Sequence, residues 1–162
     1  FTLLYSSRVM GGIFGIYGAL LNGATLFPKD IKRDGLGNIV NWMKPSRITV
    51  YHSVTTLFHQ LVSLVSPNDR FPDLRLIILG GEQVLHSDIM RGREAFTSQI
   101  EFYCGSGSTK TGSIRHFPID ADTPFDPRPV PLGLPDRRYR GRAPSTPIAI
   151  RICQPNTGAA PN

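Results

Sequence analysis

Apolar residues recur at helical spacing in four stretches of the chain and gather into short continuous runs between them. Val9, Met10, Ile13, Phe14, Tyr17, Leu20 and Leu21 mark one face of a helix, which Asn22-Gly23 ends as a C-cap would. Residues 24–27 predict a short strand closed by Pro28. Leu36, Ile39, Val40 and Met43 predict a second helix that ends before Pro45. Residues 48–51 are β-branched and aromatic, as strands prefer. Ser53 is placed to cap the most regular helix, whose apolar face is Val54, Leu57, Phe58, Leu61, Val62 and Val65. Leu76-Ile77-Ile78-Leu79 then forms the unbroken apolar run of a strand buried on both faces. Ser87 or Asp88 can cap a weaker helix through Ile89, Met90, Ala95 and Phe96, and residues 100–104 predict the next strand.

Strands alternating with helices at this spacing require crossover connections, and so predict an α/β fold: a mainly parallel sheet with helices on both faces. The character changes after Gly112. Residues 113–119 predict another strand, residues 120–147 are rich in Pro and Arg with little periodicity, and residues 148–153 alternate like an edge strand. The expected organisation is an α/β subdomain over 1–119. A β-rich, loop-rich C-terminal tail, 120–162, would begin the next subdomain. The chain opens on Phe1, in what reads as the middle of a strand, without an initiating Met, and is expected to be a piece of something larger.

A length of 162 residues and a hydrophobic content of 40% suffice for a real core. No run of about 18 apolar residues occurs, which excludes a transmembrane helix. The apolar stretch 9–21 is interrupted by Gly11, Gly12, Gly15 and Gly18 and has no cleavage signature, so it does not read as a signal peptide. Cys104 and Cys153 lack metal-ligand spacing and read as reduced thiols of a cytoplasmic protein. The formal charge of +6 would suit a polyanion, and Arg137, Arg138, Arg140 and Arg142 cluster around Tyr139. Neither a basic helix nor an aromatic platform accompanies them. A solvated loop is therefore the better reading, and an RNA-binding module is the remote alternative.

Ligands of open parallel sheets bind beyond the carboxyl ends of the strands. Three such ends are legible: His52-Ser53, Gly80-Gly81-Glu82, and the segment 105–112. Gly80-Gly81 allows backbone to approach a ligand, and Glu82 sets one carboxylate beside it. The sequence Gly-Ser-Gly-Ser-Thr-Lys-Thr-Gly over 105–112 is dense in backbone donors, hydroxyls and one ammonium, as a phosphate-facing loop would be. A Walker-type loop needs Gly before the Lys and a helix after it. Here Thr109 precedes Lys110, and a strand follows.

These residues resemble a known order. The stretches 18–26 (GALLNGATL), 48–50 (ITV) and 74–82 (LRLIILGGE) are similar to successive motifs of the adenylate-forming superfamily. That superfamily comprises nonribosomal peptide synthetase adenylation domains, acyl- and aryl-CoA ligases, and luciferases. Segment 105–112 resembles its Tyr-Gly-x-Thr-Glu signature, 130–135 (VPLGLP) its Val-Pro-x-Gly-x-Pro turn, and 150–161 the stretch carrying a later hairpin. The resemblance implies an internal part of the large N-terminal core of an enzyme that joins a carboxylic acid to ATP. The products are acyl-AMP and pyrophosphate, and the acyl group then passes to CoA or a carrier-protein phosphopantetheine. It further implies that Gly80, Gly81 and Glu82 line the adenine pocket. Ser106, Gly107, Ser108, Thr109 and Lys110 would face the nucleotide, with Thr109 as the catalytic residue contacting phosphate. Met10 falls where amino-acid-activating members hold an Asp that pairs with the substrate ammonium, so an acid lacking the α-amine is expected. His52 is assigned with it to the substrate pocket.

One departure concerns the metal. Lys110 stands where the family has the Glu that helps to hold Mg²⁺, and an ammonium cannot ligate a cation that takes oxygen donors. No metal ligand is therefore assigned, and Mg²⁺ use comes into question. Loss of metal function is preferred over direct binding of the triphosphate by Lys110. The family's ATP loop and its C-terminal domain with the catalytic Lys have no counterpart in this stretch, so the chain alone is expected to be inactive and, with apolar surface left open, to self-associate. The competing class is a non-catalytic adenylation-like scaffold in a multidomain synthetase.

Overall fold

A computed structural model of the chain describes residues 1–97, 99–108, 112–120, 123, 129–130 and 134–135. The elements are β1 (Thr2–Leu3), α1 (Met10–Leu20), β2 (Phe27–Pro28), α2 (Ile31–Asp34), α3 (Ile39–Met43), β3 (Val50–Ser53), α4 (Thr55–Leu64), β4 (Leu76–Gly80), α5 (His86–Ala95), β5 (Glu101–Ser108), β6 (Gly112–Ile119) and β7 (Leu134–Pro135). Among the described residues β3 to β7 form one sheet in chain order. β3, β4 and β5 are parallel, with α4 and α5 as crossovers, while β6 and β7 add antiparallel strands. β1 and β2 form a separate parallel pair. It is fastened to β3 where the His52 amide donates to Thr2 Oγ1 at 2.9 Å.

The two-residue period of the strands divides the core between the sheet faces. Tyr51, Ile77, Leu79, Phe102 and Cys104 point to one side, where they pack with Ile39, Val40 and Met43 of α3, Phe58 and Leu61 of α4, and Ile89 of α5. Val50, Leu76 and Ile78 point to the other, beneath Phe1, Phe14 and Ala19. The expected α/β class with helices on both faces is therefore present. No helix among the described residues is long and apolar enough to cross a membrane.

Several expectations are corrected. Most of the apolar stripe of α1 does not face inward: Phe14 packs over the sheet, but the buried positions are Gly12, Gly15 and Ala19, while Ile13, Tyr17, Leu20 and Leu21 are exposed. A β carbon on Gly12 would lie 2.1 Å from the Ser6 carbonyl oxygen, so the helix rides against its own preceding turn on its small residues. Ser53 belongs to β3, and Val54 takes the N-cap position of α4 without a side-chain bond. Leu85, not Ser87 or Asp88, precedes α5, and Asp88 reaches back to accept from the Leu85 amide at 2.8 Å. Residues 105–108, read as loop, extend β5 and pair with β6. The strand expected over 24–27 and closed by Pro28 is instead the two-residue Phe27–Pro28. The edge strand expected over 148–153, Cys153 and the arginine cluster lie outside the described residues.

Candidate functional site

The parallel strands β4 and β5 end side by side on a pair of glycines. Gly80 pairs with Gly105, and a β carbon on Gly80 would stand 3.0 Å from the Gly105 carbonyl oxygen. Gly81 then turns with φ of 82°, a conformation that L side chains resist. On β5 the register against β6 slips between Ser106 and Gly107, a bulge that interrupts the ladder at the strand end. Opposite, the Val130 amide donates to the Val84 carbonyl at 2.9 Å, and Leu85 bridges to Pro129. These segments enclose a cavity of about 550 Å³ bounded by Gly81, Glu82, Gln83, Val84, Cys104, Gly105, Ser106, Gly107, Pro129 and Val130. Its size is that of a small-molecule site, and it lies at the carboxyl edge of the parallel strands.

The lining combines the buried apolar side chains of Val84 and Val130 with exposed backbone and the half-buried Ser106. Such a mixture suits a flat, partly polar ring system better than a free ion. Cys104 is buried on its wall. Burial first, and the charge of Asp88 second, push its thiol up to about 12, which leaves it protonated and poorly nucleophilic at neutral pH. The Glu82 carboxylate accepts from the Thr56 amide at 2.7 Å and from Thr56 Oγ1 at 2.8 Å, across to the start of α4. No cluster of three His, Cys, Asp or Glu side chains suited to a metal ion occurs among the described residues.

On the other face of the sheet, His52 is buried among three rings. The Tyr5, Phe14 and Phe1 centroids lie 4.7, 5.8 and 6.3 Å from its own. Burial pushes the imidazole down to about 4, so it is neutral at physiological pH, and its Nδ1 has no hydrogen-bond partner among the described residues. Met10 opens α1, one turn before Phe14 and on the same helical face.

Of the residues singled out from sequence, Gly81, Glu82, Ser106 and Gly107 meet at the cavity, with Gly80 directly behind them. Ser108 ends β5, and Thr109 and Lys110 lie outside the described residues. Met10 and His52 do not line the cavity. Gln83, Val84, Cys104, Gly105, Pro129 and Val130 complete the wall without having been assigned to it. Their signal was available only indirectly, from the strand end at Cys104 and from the motif-like run that starts at Val130.

A family profile described as "AMP-binding enzyme" matches residues 5–142. The chain is 30% identical over 143 residues to tyrocidine synthase 3 of Brevibacillus parabrevis, which covers 75% of this chain and 2% of that protein. It is 28% identical over 128 residues to surfactin synthase subunit 2 of Bacillus subtilis (strain 168), covering 76% of this chain and 3% of that one. The fold is shared with the crystal structure of the nonribosomal peptide synthetase FmoA3, at a TM-score of 0.72 and 22% identity over 83% of this chain and 15% of that one. The Vibrio cholerae adenylation domain AlmE, in complex with glycyl-adenosine-5'-phosphate, matches at a TM-score of 0.68 and 20% identity over 83% of this chain and 25% of that one. The chain thus spans only a few hundredths of the length of the curated relatives it matches. With the profile covering most of its length, the chain belongs to the family of AMP-binding enzymes.

Proposed function

We propose that this chain supplies part of the nucleotide-binding core of an adenylating enzyme that activates a carboxylic acid as acyl-AMP for transfer to CoA or a carrier-protein thiol. The observation that carries the reading is the cavity at the ends of β4 and β5, where the Gly80-Gly81 turn and the β5 bulge converge. An adenine ring fits its volume, its apolar flanks and its exposed backbone donors and acceptors. Solved neighbours support the assignment, since AlmE holds glycyl-adenosine-5'-phosphate and FmoA3 is known in an α-methyl-L-serine-AMP bound form. Gly80, Gly81, Ser106 and Gly107 are the nucleotide-side residues, with Glu82 on the rim beside them. By the family resemblance Ser108, Thr109 and Lys110 are assigned to the phosphates, with Thr109 contacting the reacting one. The acid lies on the Met10 and His52 side, and lacks an α-ammonium because Met10 offers it no counter-charge.

Calorimetric titration with AMP, and with ATP in the presence and absence of Mg²⁺, tests the reading. Saturable AMP binding that is lost on filling the cavity supports it; no binding of either nucleotide overturns it. An activation screen that favours free α-amino acids overturns the assignment of the acid. A second reading, a scaffold that has lost ATP chemistry, draws on one feature, Lys110 in place of a metal-ligating Glu. Nucleotide binding without any Mg²⁺ dependence or pyrophosphate exchange in an intact synthetase carrying this segment favours the second reading.

A further inference from the structure

Glu82 lies on the rim of the cavity, yet its carboxylate is turned toward a helix. Oε2 accepts from both the amide and the hydroxyl of Thr56, at 2.7 and 2.8 Å. The residue before α4, Val54, supplies no side-chain acceptor, so a glutamate 26 positions away satisfies a first-turn amide in its place. The negative charge also meets the positive end of the α4 dipole. Gly81 makes this geometry accessible. Its positive φ reverses the chain after β4, and a β carbon there would already touch Val54 Cγ1 at 3.4 Å. A carboxylate free to face a nucleotide would repel its phosphates; one held by two donors at the helix start is drawn aside. The same charge acts on Tyr5, whose phenol burial and Glu82 both push up, and whose ring lies against His52.

We propose that Glu82 is a positioning residue that clamps the 81–84 rim of the cavity to the first turn of α4 and does not itself touch the bound nucleotide. The part concerning the nucleotide rests on the proposed function; the clamp does not.

Amide hydrogen exchange of the ligand-free chain tests the clamp. The Thr56 amide exchanges about tenfold faster in Glu82→Ala than in the wild type, and Glu82→Gln, which keeps an acceptor oxygen, restores protection. Equal exchange in all three proteins overturns the proposal. AMP titration tests the consequence. Affinity falls about tenfold in Glu82→Ala, the cost of one lost charge-assisted bond, and recovers to within about threefold in Glu82→Gln. The Glu82→Ala/Thr56→Val double variant binds no more weakly than Glu82→Ala alone, because both changes break one link. Additive losses, or a Glu82→Gln variant as weak as Glu82→Ala, put the carboxylate on the ligand and overturn the proposal. A wild-type chain that binds no AMP removes the nucleotide reading instead, and the exchange measurement then decides the clamp alone.

Discussion

Gly92 of α5 lies directly beneath the ring of Phe102: a β carbon there would fall 2.6 Å from Phe102 Cζ and 2.8 Å from Phe58 Cζ. The two rings pack edge to face, with centroids 6.0 Å apart, so neither can retreat without disturbing the other. Replacing a helical glycine by alanine ordinarily stabilises by up to about 1 kcal/mol. Here overpacking at about 1–3 kcal/mol wins. Gly92→Ala is expected to lower the urea midpoint of the chain, whereas Gly18→Ala in α1, with open space around its β carbon, is expected to raise it. Two shifts of the same sign would refute the packing argument.

The burial of His52 makes stability depend on pH. Its folded value of about 4 lies below the 6.5 of an unhindered imidazole, so between these values the unfolded chain takes up the proton that the folded chain refuses. The contribution is complete above pH 6.5 and is lost as pH falls to about 4, amounting to roughly 3 kcal/mol. The check is the difference between the wild type and His52→Phe in denaturation measured at pH 7, 5.5 and 4. A parallel pH profile for the two proteins would show that His52 does not titrate this way.

Gly81 is a cavity residue whose backbone resists a side chain. With φ of 82° it sits in the left-handed region, where an L residue costs about 1–2 kcal/mol. Gly81→Ala is expected to lose that much stability and, by tilting the rim, to weaken AMP binding in calorimetry by more than Gln83→Ala does.

Lys110 yields a prediction for an intact synthetase carrying this segment. If the ammonium has displaced a metal ligand, Lys110→Glu raises Mg²⁺-dependent pyrophosphate exchange by about tenfold or more. Normal exchange with Lys110, unchanged in Lys110→Glu, rejects metal loss.

Legibility followed the strength of the local signal. The run 76–79, typical of a buried strand, is one, and the α4 periodicity holds at Phe58 and Leu61, because both elements bury side chains at regular spacing. The cap of α4 was misread, since Ser53 offers a hydroxyl next to the helix while the true acceptor, Glu82, arrives from another strand end. Long-range capping leaves no trace in local spacing. The glycine-rich segment 105–108 read as loop because glycine and serine carry weak strand propensity; pairing with β4 and β6 overrides it. The cavity wall at Val84 and Val130 was hidden for a related reason. Backbone pairing between distant segments, the Val130 amide on the Val84 carbonyl beside the Leu85–Pro129 bridge, creates it.

The inverted packing of α1 has a consequence for how the helix tolerates change. Hydrophobicity scoring would rank Ile13, Tyr17 and Leu20 as its sensitive positions, yet these are exposed, and in the chain alone polar replacements there should leave the fold in place. Gly12 is the opposite. Its nearest neighbour is a backbone oxygen that cannot rotate away, so even alanine should be excluded there. A saturation library read out by folding would therefore show Gly12 as less replaceable than Ile13, Tyr17 or Leu20.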